Sequence, residues 1–349
     1  MTGTEEERTV AERRRTDRRD TDRRRDFQSA AAWQGPERRL GERRQSERRL
    51  EPFPEGLHLL DLPQPREGFR RFISSWYFVD TLGRRIVVDP GPASTIPLLL
   101  DQLAPLAHAV DIVLLTHIHL DHAGGISQFC EHYRGARILV HPKARKHLLN
   151  PEKLWLSSLR TLGDVARMYE APLPLKPDSL LDRDDLPGIE ILETPGHAPH
   201  HISFIVPFRG KKLFFVGEAA GLYLPLGSTP TLPYLRPATP PKFDAKAAQT
   251  SLHKIEQALQ GEDLLCYSHW GAALRAQFMI ALAKGQLGEW LSIISQMREE
   301  PEEDIAAYLL SHDALLSGFA RLPEELQERE RLFIGNSIRG FLGYLEGRS

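Results

Sequence analysis

The sequence predicts an α/β fold in its central part, between a charged N-terminal tail and a helical C-terminal region. From about residue 57, short apolar runs of strand length alternate with apolar residues at helical spacing. From Ala272 onward only the helical spacing remains, and the beginning of the chain is dominated by charge. These three patterns divide the 349 residues into a tail (1–50), an α/β part (51–270) and a helical region (271–349).

The N-terminal tail carries a charge repeat with a period of five residues. Its unit, an acidic residue followed by two arginines, begins at Glu12, Asp17, Asp22, Glu37, Glu42 and Glu47. Five residues turn a helix by about 140°, so these charges would surround a helix and leave it no apolar face to pack. We therefore expect a disordered tail. The alternative is an arginine-rich arm for nucleic acid or anionic lipid, but the interleaved carboxylates cancel most of the attraction for phosphate.

Charge and composition argue against several classes of protein. Residues 1–51 hold 15 of the 45 basic and 12 of the 47 acidic residues, which leaves the remaining chain with a net charge near −5. Such a body disfavours a nucleic-acid partner, and no apolar stretch is long enough for a transmembrane helix. The two cysteines cannot form a disulfide framework, and the N-terminus lacks the apolar segment of a secretion signal. We expect a cytoplasmic protein that acts on a small molecule without a membrane partner, and a homodimer stays open.

Predicted strands and helices follow one another along the α/β part. Residues 69–79 and 84–88 have strand patterns on either side of a turn, and 95–106 has helical spacing. Residues 110–115 form a continuous apolar run, as in a strand that is buried on both faces. The later predictions are a helix at 126–133, a strand at 137–140, a helix from Pro142, strands at 189–192, 202–206, 212–216 and 264–267, and a helix from Asp244 through Leu259.

A cluster of ionisable residues follows the buried strand directly. His117, His119, Asp121 and His122 lie close together in the segment THIHLDHAGG. Three imidazoles and a carboxylate would be costly to bury without partners, and protonated imidazoles would repel one another. Neutral histidine and ionised aspartate are ligands of zinc-like cations, so a bound metal removes both difficulties. The segment therefore predicts a metal site, and a solvated polar loop is the alternative.

This segment resembles the metallo-β-lactamase superfamily, whose signature is HxHxDH after a buried strand. The resemblance covers roughly residues 57–270 and implies a four-layer αββα sandwich, to which the helical region and the tail are additions. It also implies that Asp89, in VVDPG at the end of an early strand, orients a metal-bound histidine. The segment TPGHAPHH and the Pro-rich stretch after it resemble a group of hydrolases in this superfamily that has no settled substrate.

The resemblance also implies the remaining metal ligands. His197 in TPGHAPHH and His269 in YSHWG occupy the family's third and last histidine positions. Where the family usually has a bridging aspartate, this chain has Glu218, which is longer by one methylene group, can still reach, and leaves the number of metals open. The implied assignment puts one metal on His117, His119 and His197, the other on Asp121, His122 and His269, and Glu218 between them. We expect two divalent ions, zinc first, with iron or manganese as alternatives.

The implied function is hydrolysis of a small ester-type substrate, a thioester or a lactone, by a metal-bound hydroxide. Asp121 and His122 are the expected catalytic residues, with Asp121 handling the proton as the leaving group departs. The first alternative is an oxidoreductase resembling persulfide dioxygenases, with a single iron on His117, His197 and Glu218. A phosphodiesterase or nuclease is disfavoured by the acidic body, and a non-enzymatic scaffold is disfavoured because every ligand position is filled.

Four residues beside the ligand segments are candidates for the substrate pocket. Tyr223, Tyr234 and Trp270 flank these segments, and His201 follows the third histidine just before a predicted strand. Ligand pockets are lined mainly by apolar and aromatic side chains with a few polar groups, which these residues would supply. Ordinary packing inside the fold is the alternative interpretation.

Overall fold

The computed structural model describes residues 53–229 and 231–347 of the chain. The tail with its period-five charge repeat, and the disorder predicted for it, lie outside these described residues. Among the described helices, none is long and apolar enough to cross a membrane.

The first sheet has five strands, which lie side by side in chain order. They are β1 (Leu57–Asp61), β2 (Ser74–Val79), β3 (Arg85–Val88), β4 (Ile112–Leu114) and β5 (Arg137–Leu139). The first three strands are antiparallel, whereas β3, β4 and β5 run parallel. The parallel strands end at one edge of the sheet, and the histidine-rich segment follows β4 at that edge.

β2 is shorter than the predicted strand at 69–79, because the chain bends at Arg71. Arg71 has a φ of 50°, in the left-handed region that a strand excludes, and its N–H donates to Asp61 Oδ1 at 3.1 Å. Phe69 and Phe72 pack against Phe333, far along the chain. Their apolar character therefore serves tertiary packing rather than a strand.

Between β3 and β6, the described residues form six α-helices. They are α1 (Ile96–Leu103), α2 (Leu120–Ala123), α3 (Ile126–His132), α4 (Pro142–Leu149), α5 (Glu152–Leu162) and α6 (Asp164–Tyr169). In β4, Val113 packs into the core that includes residues of α1 and α3, whereas Ile112 and Leu114 face the second sheet. Because both faces of β4 are buried, the sequence there is apolar without alternation.

The second sheet has the strand order β12-β11-β8-β7-β6. Its strands are β6 (Glu190–Glu193), β7 (Ile202–Phe208), β8 (Lys211–Gly217), β11 (Leu264–Tyr267) and β12 (Ala272–Ala273). Between β8 and β11 in the chain, β9 (Leu222–Leu224) and β10 (Tyr234–Arg236) form a separate antiparallel pair. β8 and β11 run parallel, and the other neighbours are antiparallel. Both parallel strands end at the edge where predicted ligand residues follow, Glu218 after β8 and His269 after β11.

The two sheets pack face to face through a core of aromatic and branched side chains. The rings of Phe78 in β2 and Phe215 in β8 stack with their centroids 5.2 Å apart, and Trp76 meets Phe215 edge-on at 6.2 Å. Ile202 and Phe204 of β7 belong to the same cluster. With helices on the outer faces, the arrangement is the predicted four-layer αββα sandwich.

α7 (Ala245–Ala258) precedes β11 and belongs to the predicted α/β part. Beyond β12 the described chain is helical, as predicted, with α8 (Ala276–Gln296), α9 (Glu302–His312) and α10 (Glu324–Leu345). β12 itself is a short strand at Ala272–Ala273, where the sequence predicts only helix. Asp244 caps α7, because its carboxylate accepts the N–H of Ala247 at 2.9 Å. Trp290 of α8 and Phe341 of α10 lie in the same hydrophobic core as Phe214 of β8. The division of the chain at residue 270 stays a prediction.

Candidate metal centre

The predicted ligands meet at the edge where the parallel strands end. His117 follows β4, Glu218 follows β8 and His269 follows β11, while His197 lies in the loop between β6 and β7. Asp121 and His122 lie in α2, the single helical turn that follows the motif strand. Glu218 and His269 lie together because β8 and β11 are neighbouring parallel strands of the second sheet. The face-to-face packing of the two sheets brings this strand end beside the end of β4, where His117 follows.

One group of side chains consists of His117, His119, His197 and Glu218, whose ligand atoms all lie within 4.8 Å of one another. Glu218 Oε2 lies 3.3 Å from His117 Nε2 and 2.9 Å from His197 Nε2. His119 uses Nδ1, which lies 3.1 Å from His117 Nε2 and 2.9 Å from His197 Nε2. Ligand atoms about 2.1 Å from a tetrahedral zinc ion are about 3.4 Å apart, so these separations fit one cation.

A second group consists of Asp121, His122 and His269. Asp121 Oδ2 lies 3.5 Å from His122 Nε2 and 3.6 Å from His269 Nε2. The carboxylate of Glu218 touches this group too, with Oε2 at 3.4 Å from His122 Nε2 and Oε1 at 3.3 Å from His269 Nε2. Glu218 therefore lies between the two groups, and its extra methylene does not keep it from either.

The pKa values of the three histidines in the THIHLDHAGG segment are shifted in different directions, and one of these histidines lacks hydrogen-bond partners among the described residues. Burial, followed by the neighbouring imidazoles, holds the pKa of His117 and of His119 well below the usual histidine range. Burial alone would lower the pKa of His122, but Asp121 and Asp89 hold it well above that range. Neither ring nitrogen of the fully buried His122 has a hydrogen-bond partner within the described residues. The carboxylates around His122 thus favour positive charge there, which either a proton on the ring or a bound cation supplies.

Glu218 is the anionic centre of the cluster. Burial opposes its ionisation, yet His197 and His269 hold the pKa of the Glu218 carboxyl well below its usual range. An ionised carboxylate among imidazoles is a ligand set that suits zinc, iron or manganese.

Two backbone carbonyls set the ring orientation of the later histidines. His197 Nδ1 lies 2.8 Å from the carbonyl oxygen of Ala238, and His269 Nδ1 lies 3.2 Å from that of Phe72. Since a carbonyl only accepts, each Nδ1 carries the proton and donates it. The Nε2 lone pairs then face Glu218, which is the tautomer that binds a metal.

Asp89 joins two of the predicted ligand segments, THIHLDHAGG and YSHWG. Its carboxylate accepts the backbone N–H of Thr116 at 2.8 Å, the hydroxyl of Thr116 at 2.7 Å and the hydroxyl of Ser268 at 2.6 Å. Its Oδ2 lies 3.6 Å from His122 Nδ1. Asp89 has a φ of 49°, a conformation that is strained for a residue with a Cβ and that persists where the surroundings enforce it. The expected role of Asp89, orienting a metal-bound histidine, stays a prediction.

The four predicted pocket residues have two kinds of surroundings. Trp270 and Tyr223 are half-buried, and the guanidinium of Arg71 lies 5.7 Å from the centre of the Trp270 ring. His201 and Tyr234, by contrast, are completely buried. The Tyr234 hydroxyl donates to Glu330 at 3.4 Å, inside the packing beneath α10. His201 and Tyr234 therefore do not line an open pocket, because both side chains point into the fold.

Residues of α10, which the sequence did not single out, support the His269 segment. Arg329 donates to the carbonyl of Gly68 at 2.5 Å, and its guanidinium lies 4.3 Å from the centre of the Phe72 ring. The Phe72 ring in turn lies 4.5 Å from that of His269. Arg329 is itself held by the buried Glu330, which also pairs with Arg236 at 2.6 Å. No local sequence pattern marks these contacts, since they join the two ends of the described chain.

The fold and this cluster define a class of protein, a two-sheet αββα sandwich with a histidine and carboxylate centre at its strand ends. The sequence pattern of the metallo-beta-lactamase superfamily matches residues 69–269, more than half of the chain. The chain belongs to this superfamily.

Relatives in sequence and structure agree with this membership. A metallo-beta-lactamase fold-containing protein of Sulfurisphaera tokodaii is 30% identical over 182 residues, which span 48% of this chain and 62% of that protein. A hydroxyacylglutathione hydrolase of Pectobacterium carotovorum is 26% identical over 258 residues, 72% of this chain and 82% of that protein.

Solved structures show the same fold. An archaeal metallo-beta-lactamase superfamily protein from Sulfolobus tokodaii has a TM-score of 0.57 at 20% identity, covering 83% of this chain and 99% of that one. A metallo-beta-lactamase family protein from Thermus thermophilus has a TM-score of 0.55 at 20% identity, covering 84% of this chain and 93% of that one.

Proposed function

We propose that the protein is a metal-dependent hydrolase that acts on a small ester-type substrate, a thioester or a lactone. The observation that carries this proposal is the pair of ligand groups that share the carboxylate of Glu218. The proposed ligands are His117, His119 and His197 for one divalent ion, Asp121, His122 and His269 for the other, and Glu218 for both. Zinc is the expected metal, since imidazole and carboxylate are ligands that it accepts.

Two adjacent divalent cations, when bound, lower the pKa of a shared water to about 7 and polarise a substrate carbonyl. The chain's own residues supply orientation and proton handling. The Asp121 side chain keeps 16% of its surface exposed, whereas that of His122 keeps none. Asp121 is therefore placed to exchange a proton with an arriving water or a departing alcohol or thiol. His122 is the enclosed member of the pair, and Asp89 Oδ2 lies 3.6 Å from its Nδ1.

The sequence relatives support hydrolysis of an acyl compound. Several of them are hydroxyacylglutathione hydrolases, including the one from Pectobacterium carotovorum that aligns over most of this chain. Glutathione recognition is not carried over, because no particular residues of this chain are identified for it.

A mononuclear iron oxidoreductase of the persulfide dioxygenase kind is the second candidate. One observation favours it: His117, His197 and Glu218 form a set of two histidines and one carboxylate, with both Nε2 atoms within 3.3 Å of Glu218 Oε2. Metal content separates the candidates. Two zinc-like ions per chain support hydrolysis, whereas one iron together with oxygen uptake supports the oxidoreductase.

The test of the hydrolase combines metal analysis with a substrate screen. Purified protein is analysed for bound metals by mass spectrometry and assayed with thioesters, lactones and phosphodiesters. His119→Ala removes a ligand nitrogen that lies at most 3.1 Å from two others, so metal content and turnover should fall together. The control is His108→Ala, at an exposed position away from the centre, which should change neither quantity. Turnover retained by His119→Ala would overturn the assignment.

A further inference from the structure

The buried ring of His201 connects the TPGHAPHH loop to the backbone of Glu218. His201 Nδ1 lies 2.9 Å from the hydroxyl oxygen of Thr194, and Nε2 accepts the backbone N–H of Glu218 at 3.2 Å. The Thr194 hydroxyl also lies 2.9 Å from that of Ser203. Proposed ligands flank this ring, which lies 5.2 Å from His117 and 6.0 Å from His197 between ring centres.

The direction of these hydrogen bonds follows from their donors. A backbone N–H can only donate, so His201 Nε2 must be free of a proton and Nδ1 must carry it. Nδ1 then donates to Thr194 Oγ1, whose hydroxyl also forms a hydrogen bond with that of Ser203. The ring has one tautomer and one orientation, fixed by the buried Thr194 on one side and the backbone of Glu218 on the other.

The backbone beside Glu218 is shaped to receive this ring. Gly217, the last residue of β8, has a φ of 54°, and a Cβ there would lie 2.4 Å from His201 Nε2 and 2.9 Å from Thr116 Oγ1. A side chain at this position would displace either the ring or the segment of His117. Glycine thus allows His201 to approach the chain where it turns from β8 into Glu218.

We propose that His201 is a positioning residue that holds the backbone of Glu218, so that its carboxylate reaches both ligand groups. A glutamate side chain has one more rotatable bond than the aspartate that is usual in this superfamily. Its carboxylate can therefore occupy more positions, and a fixed backbone reduces that number. This inference rests on the proposed metal centre. It assigns His201 to the support of that centre and not to contact with substrate.

The test compares two amide replacements that differ in reach. The amide of His201→Gln extends to the position of Nε2 and can accept the Glu218 N–H, whereas that of His201→Asn reaches only the position of Nδ1. Zinc affinity is measured by competition with a chromophoric chelator. We expect His201→Asn to bind zinc about 10–100-fold more weakly than wild type and His201→Gln to stay within roughly threefold of it.

A third variant and a stability measurement complete the design. Thr194→Val keeps the shape of the side chain but removes the hydrogen-bond partner of Nδ1, at the end of the His201 ring opposite to Glu218. This variant should weaken zinc binding by several-fold. Thermal unfolding of the metal-free proteins detects a merely structural role, which would lower the stability of both amide variants without separating their zinc affinities.

The outcomes separate this inference from the proposed function. Equal zinc affinities for wild type and all three variants, or equal losses in His201→Asn and His201→Gln, would overturn the inference alone. A wild-type protein that binds no divalent metal would overturn the proposed function together with it.

Discussion

Replacing Asp89 by asparagine tests how one carboxylate organises the centre. The backbone N–H of Thr116, 2.8 Å from Oδ1, can only donate, so the amide oxygen of Asn at position 89 must take the place of Oδ1. The amide nitrogen then takes the place of Oδ2, which faces the hydroxyls of Thr116 and Ser268 and lies 3.6 Å from His122 Nδ1. An NH₂ group only donates, so it favours the tautomer of His122 with its proton on Nε2. That proton occupies the nitrogen proposed to bind metal.

The size of the effect has two parts. Hydrogen bonds to a charged group contribute about 1.5–3 kcal/mol against about 1 for neutral ones, so the two hydroxyl contacts together lose roughly 2 kcal/mol of folding stability. The tautomer change acts on the metal, where loss of such an outer partner weakens binding by about 10–100-fold. The variant Asp89→Asn should therefore lose both stability and zinc affinity.

The assay pairs chelator competition for zinc with chemical unfolding of the metal-free protein. Asp80→Asn is the matched control, because Asp80 is also buried and also accepts three hydrogen bonds, from Leu82 and Arg84 in the turn between β2 and β3. It should lose stability and keep its zinc affinity. Zinc binding by Asp89→Asn within a factor of two of wild type would refute the tautomer argument, even if its stability falls (a factor of two is about 0.4 kcal/mol).

Two further predictions concern stability away from the ligands. Burial raises the pKa of Asp61 from 3.8 to about 6, so the stability this group contributes below about pH 4 is lost as pH rises through about 6. Asp61→Asn should flatten that dependence in thermal unfolding between pH 4 and 8, and an unchanged slope would contradict the burial argument. Gly340→Ala places a Cβ 2.1 Å from the carbonyl oxygen of Thr239 and should destabilise the protein by about 1–3 kcal/mol in urea unfolding. Gly335→Ala, where only Arg339 Nη1 lies nearby at 3.7 Å, should be neutral or stabilising, and equal losses in both variants would contradict the steric explanation.

The ligand residues could be located from the sequence because their signal is local. His117 to His122 directly follow an apolar run that both sheet faces bury, and polar residues at such a strand end point to a site. Glu218 and His269 stand in the same position, after β8 and β11. The structure brings all of them together, and their metal binding stays a prediction.

The residues that orient the proposed ligands could not be located from the sequence. They act through backbone carbonyls, and a residue's type does not reveal which side chain its carbonyl contacts. The carbonyl of Phe72 meets His269 from 197 positions away, and that of Ala238 meets His197 from 41 positions away. Adjacency also misled the interpretation of Tyr234 and His201. Both stand beside ligand segments in the chain, but their side chains point into the fold. There the Tyr234 hydroxyl donates to Glu330, and His201 Nε2 accepts the backbone N–H of Glu218.

The anchoring of Phe72 by α10 has a consequence for the order in which the protein matures. The ribosome delivers His269 before Arg329, so an unfinished chain already contains every proposed ligand. It still lacks Arg329, whose guanidinium donates to the carbonyl of Gly68 and packs against the Phe72 ring. The Phe72 carbonyl, which accepts from His269, is then without this support. We therefore expect a chain that ends before α10 to keep every proposed ligand and to bind metal more weakly than the whole chain.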